Sequence, residues 1–235
     1  MKPVRRLPVC LLLFAAAWCL ASAQSDRAAQ QRQERLAKHA ELFKSSSIGP
    51  PLEQRKPNAK GEIDLSQHWI LDYAVSEEVI TPDRMFAAWA AHSDVIVEGT
   101  AEQRYSALTQ RRNFVYSDWE FRVSRVFKNT SSLPVAQGDL ITLVQAGGQL
   151  TIDGRTVFAH LTGVTEYKLN QSYLLYLQAL PESQSFRSYG QGFELDPRGP
   201  KCMFDDDGLG PQLKALCKSL SYAALVSAVE KSVAK

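Results

Sequence analysis

The sequence predicts a mainly β protein with flanking helices, and three observations carry that reading. Helix-forming residues dominate before residue 93, apolar residues then alternate with polar ones in short runs bounded by glycine, and a helical stripe returns near Pro211. The elements follow in chain order.

Residues 1–23 read as a signal peptide. Lys2, Arg5 and Arg6 precede an apolar run from Val9 to Leu20, and Ala21, Ser22 and Ala23 precede Gln24, the order of a secretory n-region, h-region and cleavage site. The run falls short of the roughly 20 apolar residues of a membrane anchor. The expectation is therefore export to a periplasmic or extracellular space, with no membrane span after cleavage. Trp18 stands directly before Cys19, where a lipobox has a small residue, so lipidation is not expected. Loss of Lys2, Arg5 and Arg6 takes the formal charge from +2 to −1. Cys10 and Cys19 leave as well, so Cys202 and Cys217 are the cysteines of the mature chain. In an oxidising compartment they are expected to form a disulfide.

Residues 24–61 read as a flexible N-terminal arm and linker. Residues 25–44 are mostly Gln, Arg, Ala, Lys and Glu, with Leu36, Ala40 and Phe43 at helical spacing; so thin a stripe predicts a mobile or loosely docked helix, a partner-binding helix being the alternative. Ser45 to Gly61 is rich in serine, proline and glycine and reads as linker. Residues 62–92 form a helical lead-in, one candidate helix around Leu65, Trp69 and Tyr73 and a second opened by Thr81 and Pro82, with Met85 and Trp89 one turn apart.

From Ser93 the reading is β. Val95, Ile96 and Val97 predict a short strand ending at Gly99. In the longer strand from Phe114 to Phe127, Val115, Trp119, Phe121 and Val123 share one face, and Tyr116, Asp118, Glu120 and Arg122 share the other. Val126 breaks the inward parity, which predicts a bulge near Ser124 and Arg125. Further strands are expected at Leu140–Val144, before a hairpin turn at Asp153 and Gly154, and at Tyr173–Leu180, which is apolar on both faces and so central or covered by a helix. Phe186–Tyr189 and Phe193–Leu195 read as one closing strand kinked at Gly190 and Gly192. Turn signals between short strands predict a sandwich or small barrel over residues 93–200. Residues 201–235 carry the C-terminal helix, with Leu213, Leu216, Cys217, Leu220 and Ala224 on one stripe, and a Cys202–Cys217 bridge would staple it to the last strand.

The segments SDVIVEGT, FRVSRVFKN, GDLITLVQAGG and YLLYL resemble the OB-fold barrels of netrin modules and tissue inhibitors of metalloproteinases, and secreted bacterial proteins of that outline. The resemblance covers a little under half the chain and implies an OB-like five- or six-stranded barrel plus the C-terminal helix. The animal inhibitors grip a protease metal with an N-terminal Cys-x-Cys. This mature chain does not begin with one, so inhibition is not carried over.

Chemistry-bearing motifs are sparse. His39, His68, His92 and His160 stand apart, without a His-x-x-x-His or Cys-x-x-Cys partner, so no metal site is expected. The run Asp205, Asp206, Asp207, Gly208 departs from a calcium loop, with Leu216 at its twelfth position, and reads as a solvated turn. The sequence contains no Gly-x-Ser-x-Gly elbow or phosphate loop. No catalytic residue and no cofactor is assigned. The expectation is a non-enzymatic binding or interaction module, a hydrolase with a site assembled from scattered residues being the alternative. Tyr116 and Arg122 on the wet strand face, with Tyr189 nearby, are the candidate ligand-binding residues. Residues 93–200 hold ten basic and eleven acidic side chains, too balanced for a phosphate-binding groove. The expected partner is an extracytoplasmic protein or glycan, not a nucleic acid.

Overall fold

The structure, a computed structural model, describes residues 26–44, 49–66, 81–161, 165–189, 192–203, 215–216 and 218–234. The expected signal peptide, Trp69 and Tyr73 of the lead-in, the Asp205–Asp207 run and Cys217 lie outside the described residues.

Alternation builds the sheet. Strands β2 (Val95–Leu108) and β3 (Val115–Asn129) form a long antiparallel pair, and β4 (Leu140–Ala146) continues from β3. Strand β7 (Ser172–Leu180) pairs with the other edge of β2, and β8 (Ser185–Ser188) pairs with both β7 and β4. The pairings β2–β3–β4–β8–β7–β2 thus close on themselves, antiparallel throughout except between β4 and β8. Strands β9 (Phe193–Asp196) and β10 (Gly199–Cys202) extend from β7. A second sheet joins β1 (Ile63–Asp64), β6 (Arg155–Ala159) and β5 (Gly148–Ile152), the last two linked by the expected Asp153–Gly154 turn. Both turn residues have positive φ, at 48° and 74°, as a two-residue hairpin loop requires.

The parity read for β3 holds: Trp119, Phe121 and Val123 enter the core enclosed by the paired strands. The register skips Ser124, where Val123 faces Gly99 and Arg125 faces Glu98, so the expected bulge is present. Gly99, however, does not end its strand. A Cβ there would lie 3.1 Å from the Arg122 carbonyl oxygen, so the glycine permits close strand approach at the bulge and β2 runs on to Leu108. Strand β7 is apolar on both faces because it serves two cores: Tyr173, Leu175 and Leu177 face the enclosed one, and Leu174 and Tyr176 lie under helices. The single kinked strand expected at 186–195 is two strands, β8 and β9, on one edge of β7. Gly192 (φ +72°), just before β9, lies tight against β7, since a Cβ there would sit 2.3 Å from the Leu174 carbonyl oxygen.

Helices α1 (26–42), α2 (Pro82–His92) and α3 (Tyr222–Val233) flank the sheet. Met85, Phe86 and Ala90 of α2 and Leu225 and Val229 of α3 share a buried cluster with Tyr176 and Phe193. The C-terminal stripe is not one continuous helix, because Ser221 caps α3 by accepting the Ala224 N–H at 3.2 Å. The fold is therefore mainly β with flanking helices, one of them C-terminal. Among the described residues no helix is long and apolar enough to cross a membrane.

Candidate functional site

The outer face of β3 and β4 carries Tyr116, Asp118 and Glu120 beside Ala146, Val144 and Thr142. Two carboxylates on a half-apolar surface invite a cationic cover, and α1 supplies it. Helical spacing puts Arg35 and His39 one turn apart on the face that meets the sheet. Arg35 Nε donates to Asp118 Oδ2 at 3.1 Å and its Nη2 donates to Glu120 Oε1 at 3.2 Å. His39 Nδ1 meets Asp118 Oδ1 at 2.6 Å. Ala40, Leu36 and Phe43 add the apolar part against Tyr116 and Val144, Phe43 stacking on the Tyr116 ring at 5.3 Å. The Tyr116 hydroxyl donates to the Leu36 carbonyl at 2.6 Å. Burial, and after it the charge of Asp118, pushes the Tyr116 phenol above its ordinary range. The stretch read as a flexible arm is therefore, over 26–42, a helix docked on the sheet. Its partners come from distant positions, which is why its own thin stripe does not announce the docking.

On its other side His39 Nε2 meets Ser185 Oγ at 2.7 Å, giving a serine, a histidine and an aspartate in line. The spacing is that of a nucleophilic triad, but burial sets it apart. Asp118, His39 and Ser185 are each 0 % exposed, so no substrate reaches the hydroxyl. Ser185 Oγ lies 2.7 Å from Ser183 Oγ as well, so the hydroxyl is enclosed by its partners. The arrangement holds α1 in place.

That anchoring gives a groove of about 550 Å³ a fixed wall. Gln31, Glu34, Arg35 and Lys38 of α1 form one side; Leu133–Val135 and Asp139–Thr142 form the other; Ser183, Gln184 and Phe186 close the end. Lys38 Nζ is held at 2.6 Å by the Glu182 carbonyl. The groove lies where β4 and β8 part: their pairing starts at Leu143 and Phe186, leaving Leu140–Thr142 without a strand on that edge. Leu140 is 43 % exposed there.

The residues singled out in the sequence do not form one site. Tyr116 is 1 % exposed beneath α1, so the wet face expected around it is covered. Arg122 is exposed and committed, its guanidinium bonded to both Glu102 carboxylate oxygens at 3.1 and 3.0 Å and to the Gly138 carbonyl at 3.1 Å. The Glu102 hydrogen bonds, and after them the nearby carboxylate charges, hold its pKa above the ordinary value. Tyr189 packs on His92 with ring centroids 5.1 Å apart. Cys202 is disulfide-bonded, while Cys217 lies outside the described residues. His160 is exposed against Phe158 and lines no part of the groove. Among the described residues no group of three or more His, Cys, Asp or Glu side chains is placed to hold a metal ion. His39 and Asp118, named in the sequence but not joined there, meet Ser185, which the sequence reading did not single out, and the three fix the groove wall. The available signal was the complementarity of Arg35 and His39, one helical turn apart, with Asp118 and Glu120, two residues apart on a strand.

No protein-family model matches this chain, and no curated protein matches its sequence.

Proposed function

We propose that the protein is an exported, non-enzymatic binding module built on an OB-like barrel, and that its binding site is the groove between α1 and the parting of β4 and β8. The carrying observation is that α1, Leu133–Thr142 and Ser183–Phe186 converge on one cavity of about 550 Å³, within the range of small-ligand and peptide sites. A network of buried polar bonds fixes the α1 wall, so little ordering is needed when a ligand enters. Five strands pairing in a closed circuit, with β4 and β8 parallel, support the OB-like reading. Export rests on residues 1–23 of the sequence. The Cys202–Cys217 bridge belongs to the same proposal, and the ligand is an extracytoplasmic protein or glycan.

A photo-crosslinking side chain at Gln31, on the groove wall, tests the site against the same group at the exposed Gln103. In the native exported fraction a discrete adduct is expected from Gln31, lost when Thr142→Trp fills the groove. Equal labelling from both positions would move binding elsewhere. The hydrolytic alternative has one observation in its favour, the line Asp118–His39–Ser185. Labelling of Ser185 by a fluorophosphonate, abolished in His39→Ala, would reinstate it.

A further inference from the structure

We propose that the groove takes an extended peptide, added as a strand to the free edge of β4, with an acidic side chain toward Lys38 and an apolar one over the floor of Ile141, Val135 and Phe186. The inference rests on the groove being the binding site and names the partner that fits it.

The argument starts from the direction of the backbone groups. Val123 N–H donates to the Asp139 carbonyl and Val123 C=O accepts from Gly138 N–H, so odd-numbered β3 residues turn their amides toward β4. Phe121 and Trp119 stand opposite Ile141 and Leu143, and these β4 residues return the bonds. Antiparallel pairing alternates, so both amide groups of Leu140 and the Thr142 N–H turn the other way, into the groove, while the parallel pair of Leu143 and Phe186 engages the Thr142 carbonyl. The β8 partner begins only opposite Leu143. An edge in this condition is a template for another strand.

Side chains on both flanks suit a strand. Leu140 presents a 43 % exposed apolar surface at the rim, and Ile141, Val135 and Phe186 form an apolar floor continuous with the core. The groove walls carry both signs of charge, and Glu34, Asp139 and Lys38 each keep theirs because each is bonded to a neutral group. The Glu34 carboxylate accepts from Gln30 at 3.2 Å, and Asp139 accepts the Ala136 N–H at 2.7 Å. Lys38, at the far end of the α1 wall, bonds the neutral Glu182 carbonyl. An acidic side chain complements it, and a basic one meets it with repulsion. Alternation places that acid, on the α1 side with Leu140, and the apolar contact, on the side of Ile141, on opposite faces of one extended segment.

Fluorescence anisotropy with a labelled hexapeptide of alternating Val and Glu tests this on the full mature chain. Micromolar binding is expected, at least tenfold weaker for the same peptide N-methylated at alternate amides and severalfold weaker for the Val/Lys counterpart, the latter gap narrowing with salt. Leu140→Pro, which removes an edge N–H that β3 does not use, should match the loss from N-methylation; the methylated peptide on the unaltered protein decides the matter if that variant fails to fold. Equal binding of methylated and unmethylated peptides, or none at millimolar concentration, overturns the proposal. Amide exchange then separates the two failures. If oligosaccharides protect 140–142 and peptides do not, the groove binds and only the peptide assignment falls; if neither changes exchange there, the groove reading falls with it.

Discussion

Helix α1 and the pair α2–α3 cover the same β fold by opposite means. On the α2–α3 side the contacts are aromatic and aliphatic: Phe86 stacks on Phe193 at 5.7 Å, Trp89 meets Tyr176 edge-on at 5.1 Å, and Leu225 and Val229 are fully buried. On the α1 side the buried centre is polar, with His39 and Arg35 on Asp118 and Glu120. Apolar burial is non-directional and adds with area. The polar centre stabilises α1 only while every partner is in place, because a lone buried charge is strongly unfavourable. One side is therefore a core, and the other is a geometric lock that sets a groove.

The largest effect should come from the apolar side. Phe86→Ala removes a ring that is 2 % exposed and should destabilise the whole protein by about 4 kcal/mol, seen as one shifted denaturation transition for sheet and helices together. A separate, earlier transition of α2 and α3 would show that they are not part of the core.

Asp118→Ala should cost about 3 kcal/mol, with a different signature. It leaves Arg35 and His39 without their shared acceptor, so α1 should detach while sheet circular dichroism and the α2–α3 transition hold. A double-mutant cycle of His39→Ala with Asp118→Ala sharpens the comparison. Strong coupling is expected, and additive losses would mean that the 2.6 Å contact contributes nothing specific.

Alkaline pH acts on both sides at once. Burial raises the phenols of Tyr116, Tyr167 and Tyr176 above their ordinary range, and Tyr173 to about 12. A raised folded-state pKa for an acid that is neutral when protonated gives stability that is present below the unfolded value and is lost as pH rises through the folded one. The protein should thus weaken above about pH 10. In a spectrophotometric titration of its eight tyrosines, these four should ionise only with unfolding. Reversible ionisation of all of them near pH 10 in the folded state would contradict their burial.

The smallest effect belongs to the surface. Arg125 Nη2 bonds Glu230 Oε1 at 2.7 Å with both side chains about half exposed, and Arg125→Ala should cost less than about 1 kcal/mol. A larger loss in thermal denaturation would assign it a part in seating α3.

The same contrast explains what was legible. The β3 parity, the two-faced β7, the Asp153–Gly154 turn and the Thr81–Pro82 helix start were readable because each is a local period or turn rule. Residues Met85 and Trp89 pointed to the α2 contact by their spacing alone. The α1 lock was not readable, since His39 finds Asp118 and Ser185 at sequence separations of 79 and 146, and no local pattern reports so long a reach. Polar residues on β3 were assigned to water for the same reason. Gly99 misled because a glycine that allows close strand approach looks, in sequence, like one that ends a strand.

Amide hydrogen exchange of residues 35–42 in the unaltered protein is the most direct test of the account, because a fixed α1 is what makes the groove a site. Slow exchange around Arg35 and His39 at neutral pH is expected, accelerated at least a hundredfold in Asp118→Ala while β2, β3 and β7 are unchanged. Fast exchange of α1 in the unaltered protein, equal to that of the variant, would mean that the helix is not docked and that the groove has no wall.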